Sequence, residues 1–130
     1  MNRRGFLSLL LFGSLLGLTL AKAGRAAPER RILIQASPVA GSQHHHGAEL
    51  WPRLAVGQPL TLMRESRNPH DCYAVALYWQ DRKLGYIPQR ENIVAAQMLD
   101  RREALQAAIT QLTHSDNPWQ RVHFKVEAVM

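Results

Sequence analysis

Cysteine is nearly absent: Cys72 stands alone among 130 residues, which excludes an intramolecular disulfide and any multi-cysteine zinc knuckle. As a nucleophile it would need a base and an orienting group beside it; as a structural residue it reads as a small apolar side chain near the core. The chain also lacks a GxxxxGK[ST] phosphate loop, an HExxH motif, paired carboxylates and a Ser-His-Asp set. These absences argue against an NTPase motor and the common hydrolases, so no enzyme is expected. No repeat or low-complexity tract is present, since three consecutive histidines are too few. The length leaves room for one domain and no second core.

Acidic residues are the scarcer charge, ten against sixteen basic, for a formal excess of +6. Three of the basic residues, Arg3, Arg4 and Lys22, lie in the first segment; without them thirteen face ten, an excess of +3. That surplus permits an anionic partner without demanding one.

The first segment has its own logic. Met1-Asn2-Arg3-Arg4 is a positive start, Phe6 to Leu20 an apolar run, and Ala21-Lys22-Ala23 a small-x-small cleavage pattern. The run is shorter than the ~20 residues that span a bilayer comfortably, so residues 1–23 read as a cleaved export signal rather than a stable membrane span. Arg3-Arg4-Gly5-Phe6-Leu7 resembles the twin-arginine motif; an ordinary secretory signal that begins with two arginines is the alternative. The expected destination is periplasmic or secreted. Residues 24–31 read as a basic linker in which Pro28 breaks any helix.

The rest reads as mostly β. Ile32 to Ala36 is expected to be a buried strand and Gly41 to Gly47 a loop. Leu60 to Arg64 alternates like a half-buried strand, and Asn68-Pro69-His70-Asp71 is turn chemistry. Ala74 to Trp79 and Arg82 to Ile87 form a hairpin across Gln80-Asp81. Pro88 to Asn92 opens a helix with Ile93, Ala96 and Leu99 on one face, ending near Asp100. Leu105 to Leu112 is rich in helix formers, yet its apolar residues alternate, and the alternation predicts a strand. After a turn at Asn117-Pro118, Val122, Phe124, Val126 and Ala128 alternate with polar residues as a strand with one wet face. About six strands with one or two helices suggest a small curled sheet or barrel.

Three segments, in order, resemble the signature of the HIRAN domain family: Val39 to Gly47 with its glycines around a polar loop, Asn68 to Val75, and Lys83-Leu84-Gly85-Tyr86-Ile87-Pro88. Together they place a HIRAN-like domain over residues 32–130. The resemblance implies an OB-like β-barrel that serves as a DNA-binding module for single-stranded ends or damaged DNA. Relatives fuse it to helicase-type ATPases and a zinc module. This chain carries neither, so a hydrolase or zinc label would be inherited from those relatives. Carried over by position, Gln43, His44 and His45 fall where relatives hold a strand terminus with an arginine and two aromatics. Asn68, His70 and Asp71 complete the pocket, with Tyr86 and Gln89 on its other side. Rings would stack on bases, and Asp71 would accept a hydrogen bond from a terminal sugar hydroxyl. Gln43 departs from the pattern by lacking a charge for phosphate.

Other readings stay open. His44 and His46 could share zinc or another divalent metal, completed by His70, Asp71 or Cys72. Asp71 could merely close an Asx turn, and Trp79 and Tyr86 could be packing residues. Arg82, Lys83, Arg90, Arg101 and Arg102 form either a phosphate track or solvated surface. The second function class is an exported domain that binds a protein or envelope partner, with or without a metal.

Overall fold

The computed structural model describes residues 29–130. The expected export signal (1–23) and the linker up to residue 28 lie outside the described residues. Eight elements organise the rest: β1 (Arg31–Pro38), α1 (Gly47–Leu50), β2 (Pro59–Glu65), β3 (Ala74–Trp79), β4 (Arg82–Tyr86), α2 (Ile93–Asp100), β5 (Leu105–Leu112) and β6 (Val122–Val129). Short 3-10 turns fall at Ser42–His44, Trp51–Arg53, Gln89–Glu91 and Pro118–Gln120. Among the described residues no helix is long and apolar enough to cross a membrane.

The strands form one six-stranded antiparallel sheet in the order β1-β6-β5-β2-β3-β4. The sheet curls until its two ends nearly meet. Just past β1, Ala40 donates to the Tyr86 carbonyl and accepts from the Tyr86 N–H, both at 2.9 Å. This single bridge joins the chain after β1 to the end of β4, which makes the sheet barrel-like. Gly85 permits the approach, because a Cβ there would lie 2.5 Å from the Ala40 carbonyl oxygen.

The core fills the barrel. Phe124, Leu77, Leu84, Ile87, Leu50, Ile109, Val75 and Val126 are fully buried. On β6 the alternation is kept throughout: Val122, Phe124, Val126 and Ala128 point inward. β5 is a strand despite its helix formers, because it is paired on both sides, with β6 and β2. Backbone partners on two flanks outweigh a weak helical preference. On β3, consecutive residues Ala74 to Leu77 are all buried. One face meets the core, and α2 packs against β2 and β3, with the small Ala95 and Ala96 completely buried.

Several expectations are corrected. Ile32 and Leu33 are 45% and 60% exposed, because β1 is paired only with β6 and the first half of the strand lies on the surface. Arg31 already belongs to β1 rather than to the linker. Ile93 is 48% exposed, so α2 buries Ala95 and Ala96, with Leu99 packed partly against the core. A 3-10 turn precedes α2, which starts only after Asn92. The expected loop at 41–47 contains a 3-10 turn and leads into α1. Cys72 is exposed on the turn before β3, not near the core.

Candidate nucleic-acid interface

The closure seam is where the three motif segments meet. A cleft of about 360 Å³ opens there, walled by Ala40, His45, Asn68, His70, Asp71, Ala74, Tyr86, Ile87 and Gln89. Six of the eight residues expected at a nucleic-acid site line it: His45, Asn68, His70, Asp71, Tyr86 and Gln89. Gln43 and His44 do not line it; both are exposed on the 3-10 turn ahead of His45. Ala40, Ala74 and Ile87, inside the three motif segments but not among the expected site residues, supply apolar wall.

The turn from Asn68 to Ala74 is held by its own side chains. Asn68 Oδ1 accepts from the His70 N–H at 2.9 Å, and Asp71 Oδ1 accepts from the Tyr73 N–H at 2.9 Å. The Asx-turn reading of Asp71 therefore holds. Its other oxygen, Oδ2, accepts from Asn92 Nδ2 at 2.6 Å, which ties the turn to the start of α2. Each carboxylate oxygen has a second lone pair, so these bonds leave Asp71 able to accept from a ligand.

The opposite wall rests on an ion pair that sequence reading missed. Lys83 Nζ donates to Glu65 Oε2 at 2.8 Å and to the Tyr86 hydroxyl at 3.0 Å, and that hydroxyl donates to Glu65 Oε1 at 2.8 Å. Asn68 Nδ2 donates to the same Glu65 oxygen at 3.0 Å, so both walls converge on one carboxylate. Lys83 also sits 4.9 Å from the centre of the Tyr86 ring. Burial alone would raise the Glu65 carboxyl, but the hydrogen bonds from Lys83, Asn68 and Tyr86 outweigh it and hold Glu65 below the ordinary range. Burial likewise works against the Lys83 charge, and the bonds to Glu65 and Tyr86 reverse this, pushing Lys83 well above the usual lysine value. Tyr86 is thereby fixed at its hydroxyl while its ring faces the cleft.

His45 packs edge-on against Tyr86, ring centres 5.5 Å apart and planes at 61°. Burial, then the positive charges of Lys83 and His44, lower its pKa from 6.5. The lowered pKa favours an uncharged flat ring next to the Tyr86 phenol. That pair can stack bases.

The two histidines expected to share a metal have different surroundings. His44 is exposed; His46 Nδ1 lies 2.9 Å from Glu49 Oε1 and 3.0 Å from Arg82 Nη2. Among the described residues no three His, Cys, Asp or Glu side chains converge as a metal shell. Of the basic residues considered for a phosphate track, Arg82 pairs with Glu49, Lys83 with Glu65 and Arg101 with Glu103. Arg90, beside Gln89, and Arg67, beside Asn68, have no acidic partner among the described residues. Each is next in sequence to a residue that lines the cleft. Trp79 is a packing residue, its indole N–H donating to Gln58 Oε1 at 2.9 Å.

A family model described as HIRAN domain matches residues 33–130. A crystal structure of a protein from Lactobacillus plantarum is similar with a TM-score of 0.68 at 25% identity, over 78% of this chain and 98% of that one. The crystal structure of the HIRAN domain of human HLTF is similar in fold, with a TM-score of 0.56 at 14% identity, over 75% and 79% of the two chains. No curated protein matches the chain by sequence.

Proposed function

The chain belongs to the HIRAN domain family, and from that premise we propose that its folded domain grips single-stranded DNA by a free end, without catalysing a reaction. The family is one of DNA-binding modules, which supports nucleic acid as the ligand class. The observation that carries the finer reading is the convergence of His45, Tyr86 and the Asn68–Asp71 turn on one cleft. His45 and Tyr86 offer stacking surfaces, worth about 1–3 kcal/mol per base. Asp71, Asn68 and Gln89 line the same cleft and offer acceptors and donors for a terminal sugar and its hydroxyl. A strand passing through its middle would need to leave the cleft twice; a terminus needs one exit.

The working site of this module is proposed to be outside the cytoplasm, on the strength of the charged, apolar and small-residue order of Met1 to Ala23. Full-length protein retained in the cytoplasm would contradict that. DNA binding is tested by anisotropy of a labelled single-stranded oligonucleotide titrated with the purified protein at low salt. Saturable binding competed by unlabelled strand is expected. No binding under those conditions would leave the cleft to another ligand.

A further inference from the structure

The loop from Gly41 to Gly47 has a second side. His45 faces the cleft, while Ser42 and Gly47 line a separate pocket of about 270 Å³, with Ala48, Trp51, His114, Ser115 and Arg121 among the other walls. This pocket lies between the start of α1 and the connection from β5 to β6, whose Pro118–Gln120 turn touches the Ser42–His44 turn. The loop is folded tightly on itself here: a Cβ on Gly47 would lie 2.6 Å from the Ser42 carbonyl oxygen.

The pocket pairs flat rings with a fixed cation. Trp51 and His114 meet edge to face, centres 5.4 Å apart and planes at 71°. Arg121 is half-buried, its Nε donating to the Ser115 carbonyl at 2.7 Å and its Nη2 to the Asp116 carbonyl at 3.4 Å. Both acceptors are neutral, and no carboxylate pairs with this guanidinium among the described residues. A held, uncompensated positive charge beside an indole and an imidazole suits a planar ligand that carries an anion. A nucleotide has that chemistry.

We propose that this pocket is a second nucleotide subsite, in which a base further along the bound strand packs against Trp51 and His114 while its phosphate meets Arg121. The inference rests on the DNA-binding reading above. The strand would cross the Gly41–Gly47 loop, with the terminal nucleotide on the His45 side and a later one on the Ser42 side.

Oligothymidylates of increasing length, titrated against the purified protein, are the probe. Wild-type affinity should rise in two stages, the second appearing once the strand can cross the loop. Trp51→Ala should remove the second stage, a loss of roughly 5- to 100-fold for the longer strands. It should leave the shortest strands unaffected, and Trp51→Phe should restore most of the loss. Ala48→Glu, on the exposed surface of α1, places a carboxylate at the same wall without removing a core side chain, and should have the same length-selective effect. If Trp51→Ala and Ala48→Glu keep the wild-type length dependence while His45→Ala weakens every length, the subsite is wrong and the cleft reading stands. If the wild-type protein binds no length, both fall.

Discussion

Asn92 donates from Nδ2 to Asp71 Oδ2 at 2.6 Å, so a residue 1% exposed at the head of α2 holds the turn that forms one wall of the cleft. The buried amide reaches away from its own helix, whose first turn receives no side-chain cap from it. The geometry of the site and the docking of the helix are thus a single feature.

Asn92→Leu should therefore cost about 1.5–3 kcal/mol of stability, the range for a hydrogen bond to a charged group, read as a lowered urea midpoint. Asp71→Ala should cost at least as much, since it also releases the Tyr73 N–H. Asp71→Asn should cost less, because one oxygen remains to accept. Unchanged midpoints in Asn92→Leu and Asp71→Ala would mean that the turn is held by its backbone alone.

The Glu65–Lys83 pair makes a prediction in pH. Glu65 titrates below its ordinary value of 4.5 when folded, so its contribution is complete above that value and is lost as pH falls through the folded pKa. Lys83, shifted upward, contributes fully below 10.5 and loses its part only as pH rises beyond that. Glu65→Gln should be less stable than wild type by about 1–2 kcal/mol at neutral pH, with the gap closing on acidification. A gap that stays constant with pH would assign the loss to packing instead.

Much of this was legible in the sequence because alternation and turn chemistry are local. The β6 pattern and the Asn68–Asp71 turn need no knowledge of what lies opposite. Leu105 to Leu112 was settled by alternation, although its residue types favour helix, and its two flanking strands supply the reason. What failed depended on neighbours distant in sequence. Ile32 and Leu33 have the composition of a buried strand, yet they lie on a strand with one partner. Cys72 has a core residue's chemistry but sits in an exposed turn. The Glu65–Lys83–Tyr86 network joins strands in a way no periodicity announces. Gln43 and His44 shared a motif with His45, but the 3-10 turn points only His45 into the cleft.

Burial and the Lys83 charge lower the His45 pKa, which favours the neutral ring that the proposed stacking uses. His45→Phe should then keep DNA affinity within about threefold of wild type, whereas His45→Ala should lose the ~1–3 kcal/mol that stacking on one base provides. Anisotropy titrations of the three proteins at pH 7.5 make the comparison. Equal losses in Phe and Ala would point to a hydrogen bond from the imidazole instead of stacking.

Arg67 and Arg90 each adjoin a cleft-lining residue in sequence, Asn68 and Gln89, and have no acidic partner among the described residues, so they are the expected phosphate contacts. Each change to alanine should reduce the slope of log affinity against log salt by about 0.7, the single-strand value per neutralised phosphate. Arg101→Ala, whose guanidinium already pairs with Glu103 at 2.8 Å, should leave the slope unchanged. The same slope in all four proteins would move the phosphate path elsewhere.

The central claim is that the cleft receives a strand terminus. It is tested most directly by comparing a linear single strand with a covalently closed circle of the same sequence, in anisotropy competition against the wild-type protein at low salt. The account predicts that the linear strand competes at least about tenfold better, since the circle cannot present a terminal hydroxyl and loses a hydrogen bond to a charged acceptor. Equal competition by the two strands would contradict it.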